Sequence, residues 1–305
     1  MNLSSNKKAF TIIELLTVMS VIVILLSILV PALNRVRRYA KVVMQKGQFH
    51  EISKGLEMYQ NEHEQTYPDS DPLDTAGTAY CGAMKLCEAM LGQDGMGYHP
   101  DSRFLADGTN AVGDPLYWFD LCTPIAPPYD PCQIANMRER ATYVYPEDIR
   151  AYRLTDLYAI ISPPFDNSEP LTIPNVVISD VFLNPRIRNT CVVRSGEKVG
   201  TPVLYYKADP SKMSHDIANP GNPDNIYDYE DNDDLTFLGL PEDQNTVHPL
   251  YDDGSGNPKG LFYRLTRNER ITSTLKPHNE DTYILISAGW DGLYGTRDDV
   301  YNFAD

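Results

Sequence analysis

An apolar run near the N-terminus, residues 10–33, constrains the fold of this chain most, and it contains a single acidic residue, Glu14. Roughly 20 apolar residues form a helix long enough to cross the hydrocarbon core of a bilayer. The run continues directly into residues 34–66, where apolar side chains recur every three or four positions with one wider gap. This stripe consists of Val36, Tyr39, Val42, Phe49, Ile52, Leu56 and Tyr59. The pattern predicts one helix of about 50 residues that ends before Pro68, apolar first and amphipathic afterwards.

A secretory signal peptide, a membrane anchor and a buried core helix all contain such a run. A secretory signal has a short apolar core followed by a small-residue cleavage site, whereas this run leads into more helical sequence. Pro31 lies inside it and should kink or locally open the helix. Two lysines precede the run and five basic residues follow it up to Lys46. The positive-inside rule alone therefore does not select a cytoplasmic N-terminus.

The residues around the start of the run form a recognisable motif. Lys7 and Lys8 precede the small Ala9, and the sequence FTIIELL then begins at Phe10. This arrangement resembles the class III signal of type IV pilins and type II secretion pseudopilins, although the family usually has Gly where this chain has Ala9. The resemblance implies cleavage after Ala9 by a prepilin peptidase and N-methylation of Phe10, which keeps the positive charge of the new terminal amine.

The resemblance also implies a role for Glu14. In an assembled filament its carboxylate would pair with the terminal amine of Phe10 in a neighbouring subunit, which offsets the cost of a charge in apolar surroundings and sets the axial register. Pro31 lies where family members have a helix-breaking proline. The implied partners are further copies of the chain, the peptidase, an inner-membrane assembly platform and membrane lipid before assembly. The alternative is a plain membrane anchor in which Glu14 reaches the interface.

Charge is distributed unevenly along the chain. The net charge is −16, yet residues 1–50 are basic, and residues 51–305 contain 41 acidic and 19 basic residues. A strongly acidic domain repels nucleic-acid phosphates, so no nucleic-acid partner is expected. The six histidines are scattered, and HExxH, GxSxG, phosphate-loop and CxxC motifs do not occur. The sequence therefore predicts a protein that is not an enzyme.

Residues 67–305 are expected to form a globular, β-rich domain. A short helix is predicted around residues 79–91, and strands are predicted at 175–183, 190–195, 202–209, 261–266 and 282–289. A long helix followed by a mostly antiparallel sheet is an α+β arrangement, with the amphipathic half of the helix packed on the sheet. This arrangement agrees with the pilin-like fold. Because the chain is roughly twice as long as a typical major pseudopilin, residues 68–170 and 210–258 are expected to be insertions.

The chain contains five cysteines. Cys122 and Cys132 flank a proline-rich loop and are the candidates for a disulfide, which a non-cytoplasmic location would allow. Cys81 and Cys87 lie six residues apart in a helical pattern, roughly 9 Å at the standard rise, which is too far for a bridge unless the helix starts after Cys81.

The C-terminal stretch SAGWDGLYGTRDDVYNF, residues 287–303, contains Asp291, Asp298 and Asp299 in a glycine-rich loop. Carboxylates and backbone carbonyls on a flexible loop suit a hard cation such as calcium. The stretch resembles the C-terminal calcium loop of major pseudopilins. Carried over by position, the resemblance makes Asp298 and Asp299 the main ligands, adds oxygens from Leu293 and Thr296, and leaves Asp291 either as a ligand or as a turn cap. The alternative is an Asp/Gly hairpin without metal.

Three functions follow from these features. The first is a subunit of a helical filament, of the major pseudopilin type, in a type II secretion-like system. The second is a surface-exposed, adhesive type IV pilus-like subunit whose insertions form the binding surface. The third is a membrane-tethered calcium-binding module that does not polymerise. In the first two cases the chain would start as a single-pass protein of the inner membrane and end in a periplasmic or extracellular filament.

Overall fold

The computed structural model of the 305-residue chain describes residues 11–117, 131–145, 149–158, 175–182, 184–188, 198–240, 243, 245–257 and 259–303. Its internal contacts divide the chain into two compact units, Met1–Val43 and Met44–Asp305. The boundary lies inside the first helix, ten residues beyond the end of the apolar run at residue 33.

Helix α1 (Ile12–Glu62) is 51 residues long, which confirms the prediction of one long helix that ends before Pro68. The helix is continuous through Pro31, so the predicted local opening is not observed. A proline inside a helix removes a single N–H donor, and the hydrogen bonds of the flanking turns maintain the helix. Glu64 and Gln65 end it with left-handed backbone angles, φ 48° and 64°.

Only the second part of α1 has a buried face. From Gln45 onward the buried positions repeat at helical spacing, and they are Gln45, Gln48, Phe49, Ile52, Gly55, Leu56 and Tyr59. The predicted stripe was wrong at its start, because Val36 and Tyr39 are 63% and 73% exposed. The described residues of the first unit form a single helix, which offers no second surface to cover its apolar side chains.

Helix α2 (Gly82–Leu91) confirms the helix predicted around residues 79–91, and all ten of its residues are buried. It lies within the stretch 68–170 that the sequence suggests is an insertion, yet it forms part of the core. The helix starts directly after Cys81, and both Cys81 and Cys87 are free and buried. Cys122 and the side chain of Cys132 lie outside the described residues, as does Cys191.

The strands form small antiparallel sheets. They are β1 (Arg150–Arg153), β2 (Val176–Ser179), β3 (Asn184–Arg188), β4 (Lys198–Val199), β5 (Leu204–Lys207), β6 (Tyr283–Ser287) and β7 (Val300–Tyr301). The pairings are β1–β2, β3–β4 and β5–β6–β7. The segment before β5 also pairs with the end of β2, through the N–H of Val203 to the carbonyl of Ile178 (2.7 Å) and the N–H of Asp180 to the carbonyl of Thr201 (2.8 Å). These elements confirm an α+β class with antiparallel sheets.

Three of the predicted strands contain β2, β5 and β6. The strand predicted at 261–266 was wrong, because this segment is helix α6 (Gly260–Thr266). Its buried residues Phe262, Tyr263 and Thr266 follow helical spacing, and a short run of aromatic and β-branched residues does not distinguish a strand from a helix. The prediction at 190–195 lies outside the described residues. The remaining helices are α3 (Pro131–Glu139), α4 (Leu154–Leu157), a 3-10 helix (Tyr229–Asn232) and α5 (Asp233–Phe237).

The core of the second unit is rich in tyrosine. Five tyrosines are among the largest fully buried side chains, and they are Tyr205, Tyr206, Tyr227, Tyr263 and Tyr294. The Tyr205 hydroxyl donates to the carbonyl of Pro68 (2.8 Å), and that of Tyr227 donates to the carbonyl of Asn279 (2.6 Å). A buried tyrosine contributes apolar area and satisfies a backbone acceptor, so these side chains attach irregular segments to the core.

Candidate functional site

The N-terminus of α1 forms a capping box that the sequence analysis overlooked. The Glu14 carboxylate accepts hydrogen bonds from the backbone N–H (2.9 Å) and the hydroxyl (2.8 Å) of Thr11, and the Glu14 N–H donates to the Thr11 hydroxyl at 3.3 Å. Thr-x-x-Glu before an apolar run is a known helix-start signal, so the spacing alone could have revealed this role. Glu14 therefore stabilises the first turn within its own chain. Ala9 and Phe10 lie outside the described residues.

The apolar part of α1 is exposed on every side, since all residues from 11 to 40 are exposed. Within the described part of the chain, α1 is the one helix long and apolar enough to cross a membrane, and both a membrane anchor and a signal sequence meet that criterion.

The C-terminal loop between β6 and β7 is closed by its own carboxylates. One oxygen of Asp298 accepts the N–H groups of Trp290 (2.7 Å) and Asp291 (3.0 Å), and its other oxygen accepts the Thr296 hydroxyl at 2.7 Å. The Asp291 carboxylate accepts the N–H of Leu293 at 2.8 Å. The side chains of Asp291, Thr296 and Asp298 therefore converge within the loop.

Asp299 points toward a different part of the loop. Its carboxylate accepts the N–H of Gly295 (2.7 Å) and the hydroxyl of Tyr301 (3.0 Å), and its second oxygen lies 3.5 Å from the Thr296 hydroxyl. Burial raises the pKa of Asp299 to about 7, although these hydrogen bonds favour the ionised form. Asp299 thus stabilises the turn at Gly295.

The two converging carboxylates influence each other. The pKa of Asp291 is raised by burial and by the neighbouring charge of Asp298. Burial also opposes ionisation of Asp298, but hydrogen bonds from the Thr296 hydroxyl and from the N–H groups of Asp291 and Trp290 outweigh it and hold its pKa below the usual value. A cation between these carboxylates would relieve their repulsion.

The loop matches part of what calcium requires. Asp291, Thr296 and Asp298 provide oxygen ligands of the right kind at one place. Among the described residues, however, no three His, Cys, Asp or Glu side chains form a group that could hold a metal ion. Two carboxylates and one hydroxyl converge, while Asp299 faces Gly295 and Leu293 is half-buried. A cation here would need backbone carbonyls and water as further ligands.

Asp180 attaches the base of this loop to the sheet. Its carboxylate accepts the hydroxyls of Thr201 and Ser287, both at 2.8 Å, and the N–H of Phe182 at 3.0 Å. Asp180 is fully buried, and burial raises the pKa of its carboxyl to about 7. Ser287 ends β6 and its hydroxyl also accepts the N–H of Gly289, where the loop begins.

Helix α1 contacts the same segment. The side-chain oxygen of Gln45 accepts the N–H of Val181 (2.9 Å), and the amide of Gln48 donates to the carbonyl of Ser179 (2.9 Å). The two glutamines also bond each other at 2.9 Å. Residues 179–181 therefore connect the buried face of α1 to the base of the C-terminal loop through Asp180. This link has no signal in the sequence, because two glutamines on a helix are normally assigned to its solvent face.

His248 forms hydrogen bonds to the loop and to Gly239 through its two ring nitrogens. Its Nε2 lies 3.0 Å from the carbonyl of Gly239, and its Nδ1 accepts the N–H of Tyr294 at 3.2 Å. Since a carbonyl can only accept, Nε2 must carry the proton, and the imidazole is neutral. Burial lowers the pKa of His248 to about 4, which is consistent with this neutral tautomer. His248 thus connects the C-terminal loop at Tyr294 to the backbone at Gly239.

No protein-family model, curated protein or solved structure matches this chain.

Proposed function

We propose that this chain is a structural subunit of a helical, pilus-like filament, of the major pseudopilin type in a type II secretion-like system, and not an enzyme. The observation that carries the proposal is the exposure of the apolar part of α1. Its apolar residues are exposed on all sides up to residue 40, whereas its second part is anchored in the Met44–Asp305 unit. An apolar helix without its own core requires lipid or other copies of itself as a covering.

In this proposal lipid covers the apolar helix first, and other copies of the helix cover it after assembly. The helix first lies in the inner membrane as a single-pass anchor with lipid around it. After a prepilin peptidase removes residues 1–9, an assembly platform transfers the subunit into a periplasmic or extracellular homopolymer in which the helices cover one another. Glu14, freed from its cap, pairs there with the terminal amine of Phe10 in a neighbouring subunit.

Glu14 therefore has two candidate roles that can be separated by mutation. Glu14→Gln keeps a hydrogen-bonding side chain at the third helical position, as a capping box requires, but removes the charge. Thr11→Val removes the hydroxyl of the cap and keeps the charge. If the charge drives assembly, Glu14→Gln abolishes filaments and Thr11→Val forms them.

The measurement is electron microscopy of material sheared from cells, with mass spectrometry of the N-terminus. Filaments built from chains that begin at N-methylated Phe10 are the expected result for the unmodified protein. Loss of filaments in Thr11→Val but not in Glu14→Gln would assign Glu14 to the helix cap alone. Unpolymerised chains in the membrane, with normal abundance in all three proteins, would support the tethered module instead.

The calcium proposal concerns the loop of Asp291, Thr296 and Asp298. A bound cation would neutralise the mutual repulsion of the two carboxylates and stabilise the folded chain. We expect a chelator to lower the melting temperature of the detergent-solubilised chain, and Asp298→Asn to remove this effect. Asp252→Asn, in another exposed Asp/Gly loop, is the matched control. An unchanged melting temperature with chelator would refute the calcium site.

The adhesive alternative has one supporting observation. A cleft of about 360 Å³ is lined by Asp69 and Asp71 from one predicted insertion, by Asp228 and Asp231 from the other, and by lysines. Long exposed segments that form a concave, charged surface are typical of recognition sites. Filaments that bind cells or surfaces, and lose this binding in Asp71→Asn with unchanged assembly, would favour this alternative over secretion.

A further inference from the structure

Lys259 occupies an unusual backbone position. It precedes the first residue of α6 and has left-handed backbone angles, φ 70° and ψ −13°. This region is unfavourable for residues with a Cβ atom and is normally occupied by glycine or asparagine. Lys259 is one of five non-glycine residues with a positive φ among the described residues.

The Lys259 side chain leads into a partly closed aromatic pocket. Its Nζ lies 3.3 Å from the centroid of the Tyr251 ring and 5.3 Å from that of Tyr229. The Phe237 ring packs on the Tyr251 ring, with 5.5 Å between the two ring centroids. The lysine side chain is only 11% exposed, and its Nζ is in direct contact with the carboxyl group of Asp233 at the start of α5.

These surroundings lower the pKa of the lysine amine. Burial lowers the pKa of Lys259 to about 7, against the opposing influence of the Glu230 carboxylate. A substantial fraction of the amine is then neutral at physiological pH and has a free lone pair. The Asp233 side chain is 31% exposed and contacts this amine directly. Transfer of the ammonium proton to its carboxylate would remove two charges and leave a neutral amine next to a carboxylic acid.

We propose that Lys259 and Asp233 join through an intramolecular isopeptide bond. The Nζ lone pair attacks the side-chain carboxyl carbon of Asp233 and forms the C–N bond. An amine proton passes to the hydroxyl of the tetrahedral intermediate, the C–O bond breaks, and one water molecule leaves. Amine and acid thus give amide and water, without an oxidant or a cofactor.

The neighbouring ion pairs show what distinguishes this site. Lys276 and Glu280 form a pair at 2.7 Å with side chains 28% and 39% exposed, against 11% for Lys259 and 31% for Asp233. The two pairs differ mainly in the burial of the lysine. The Lys259 amine also lies over the rings of Tyr251 and Tyr229. The Lys276–Glu280 pair is therefore the control, and we expect it to remain an ordinary salt bridge.

The bond would connect the first residue of α5 to the residue that precedes α6. It would link residues 233 and 259 covalently, and the segment between them contains the whole second half of the stretch 210–258. The inference is independent of filament assembly, because it concerns side chains of the Met44–Asp305 unit alone.

Peptide mass spectrometry of the full chain, expressed, extracted in detergent and digested after denaturation, tests this proposal. No lysine or arginine lies between Lys212 and Lys259, so unmodified protein yields the tryptic peptide 213–259. An acylated Lys259 resists trypsin, so the bonded protein yields peptide 213–264, lighter than its sequence by one water molecule. Cleavage after Glu242 by a glutamate-specific protease should then leave the two halves joined.

Variants make the test specific. Lys259→Arg and Asp233→Ala should each restore the sequence mass between residues 213 and 264, whereas Lys276→Arg should leave the bond intact. Quantitative recovery of unmodified peptide 213–259 from folded, purified chain would overturn the proposal. A mass loss that persists in Asp233→Ala would also overturn it, since the water would then come from another residue.

Discussion

Replacement of Asp180 by asparagine should change how the stability of the protein depends on pH. The Asp180 carboxyl is fully buried and has a pKa of about 7 in the folded protein, against an ordinary value of 3.8. The folded state therefore holds this proton more tightly than the unfolded state does. Stability from this group is present at acidic pH and is lost as the pH rises from the unfolded value through about 7.

The magnitude follows from the size of the shift. A shift of roughly three pKa units corresponds to about 4 kcal/mol in total, of which about 3 kcal/mol falls between pH 4.5 and 7.5. Two buried histidines act in the opposite direction over part of this window. Burial lowers the pKa values of His215 and His248 to about 4, so their contribution to stability is lost as the pH falls below the unfolded histidine value. The pH dependence of the free energy of unfolding in the wild type alone is therefore a poor test of the Asp180 pKa.

The difference between the wild type and Asp180→Asn cancels the histidines. Urea unfolding of the detergent-solubilised chain, followed by intrinsic fluorescence, should show the wild type losing about 3 kcal/mol relative to the variant between pH 4.5 and 7.5. Asp224→Asn, at an exposed carboxyl, is the matched control and should keep the slope of the wild type. Parallel pH profiles of the wild type and Asp180→Asn would refute the argument that Asp180 is buried without a compensating charge.

Three further predictions concern stability, each measured as the change in the free energy of unfolding. Leu56→Ala, on the fully buried face of α1, should cost about 2–5 kcal/mol; a cost below 1 kcal/mol would mean that the helix does not pack there. Gly289→Ala should cost about 1–3 kcal/mol, since φ is 68° and a Cβ would meet the carbonyl of Asp298, whereas Gly47→Ala, with open space, should stabilise by about 0.5–1 kcal/mol. Arg140→Ala should cost about 3–5 kcal/mol, because it removes the guanidinium nitrogen that donates to both oxygens of the buried Asp94 carboxylate; tolerance of the change would show that water reaches Asp94.

The elements that consecutive residues specify were predictable. The length of α1, helix α2 and the strands β2, β5 and β6 follow from apolar periodicity and from the turn residues that border them. The same reasoning wrongly predicted a strand at residues 261–266, because a short aromatic run is compatible with both a strand and a helix. It also extended the buried stripe of α1 to Val36 and Tyr39, because periodicity shows which face is apolar and does not show whether anything covers it.

The candidate loop was predictable in position but not in geometry. Its aspartates and glycines stand out in the sequence, yet the division of roles between Asp298, which meets Asp291, and Asp299, which binds Gly295 and Tyr301, depends on where each side chain points. Spacing along a loop does not determine these directions, because φ values such as 77° at Gly292 and 94° at Gly295 redirect the chain between Asp291 and Asp298.

The apolar run, its one acidic residue and the acidic character of residues 51–305 could be read from the sequence, since these are properties of neighbouring residues and of composition. Which carboxylates and amines have unusual proton affinities is visible only in the folded chain. Asp180, Asp299 and Lys259 look like any other charged residue among 42 acids and 26 bases in the sequence. Burial, neighbouring hydroxyls and aromatic rings from distant segments shift their proton affinities, and these arise only when the chain is folded.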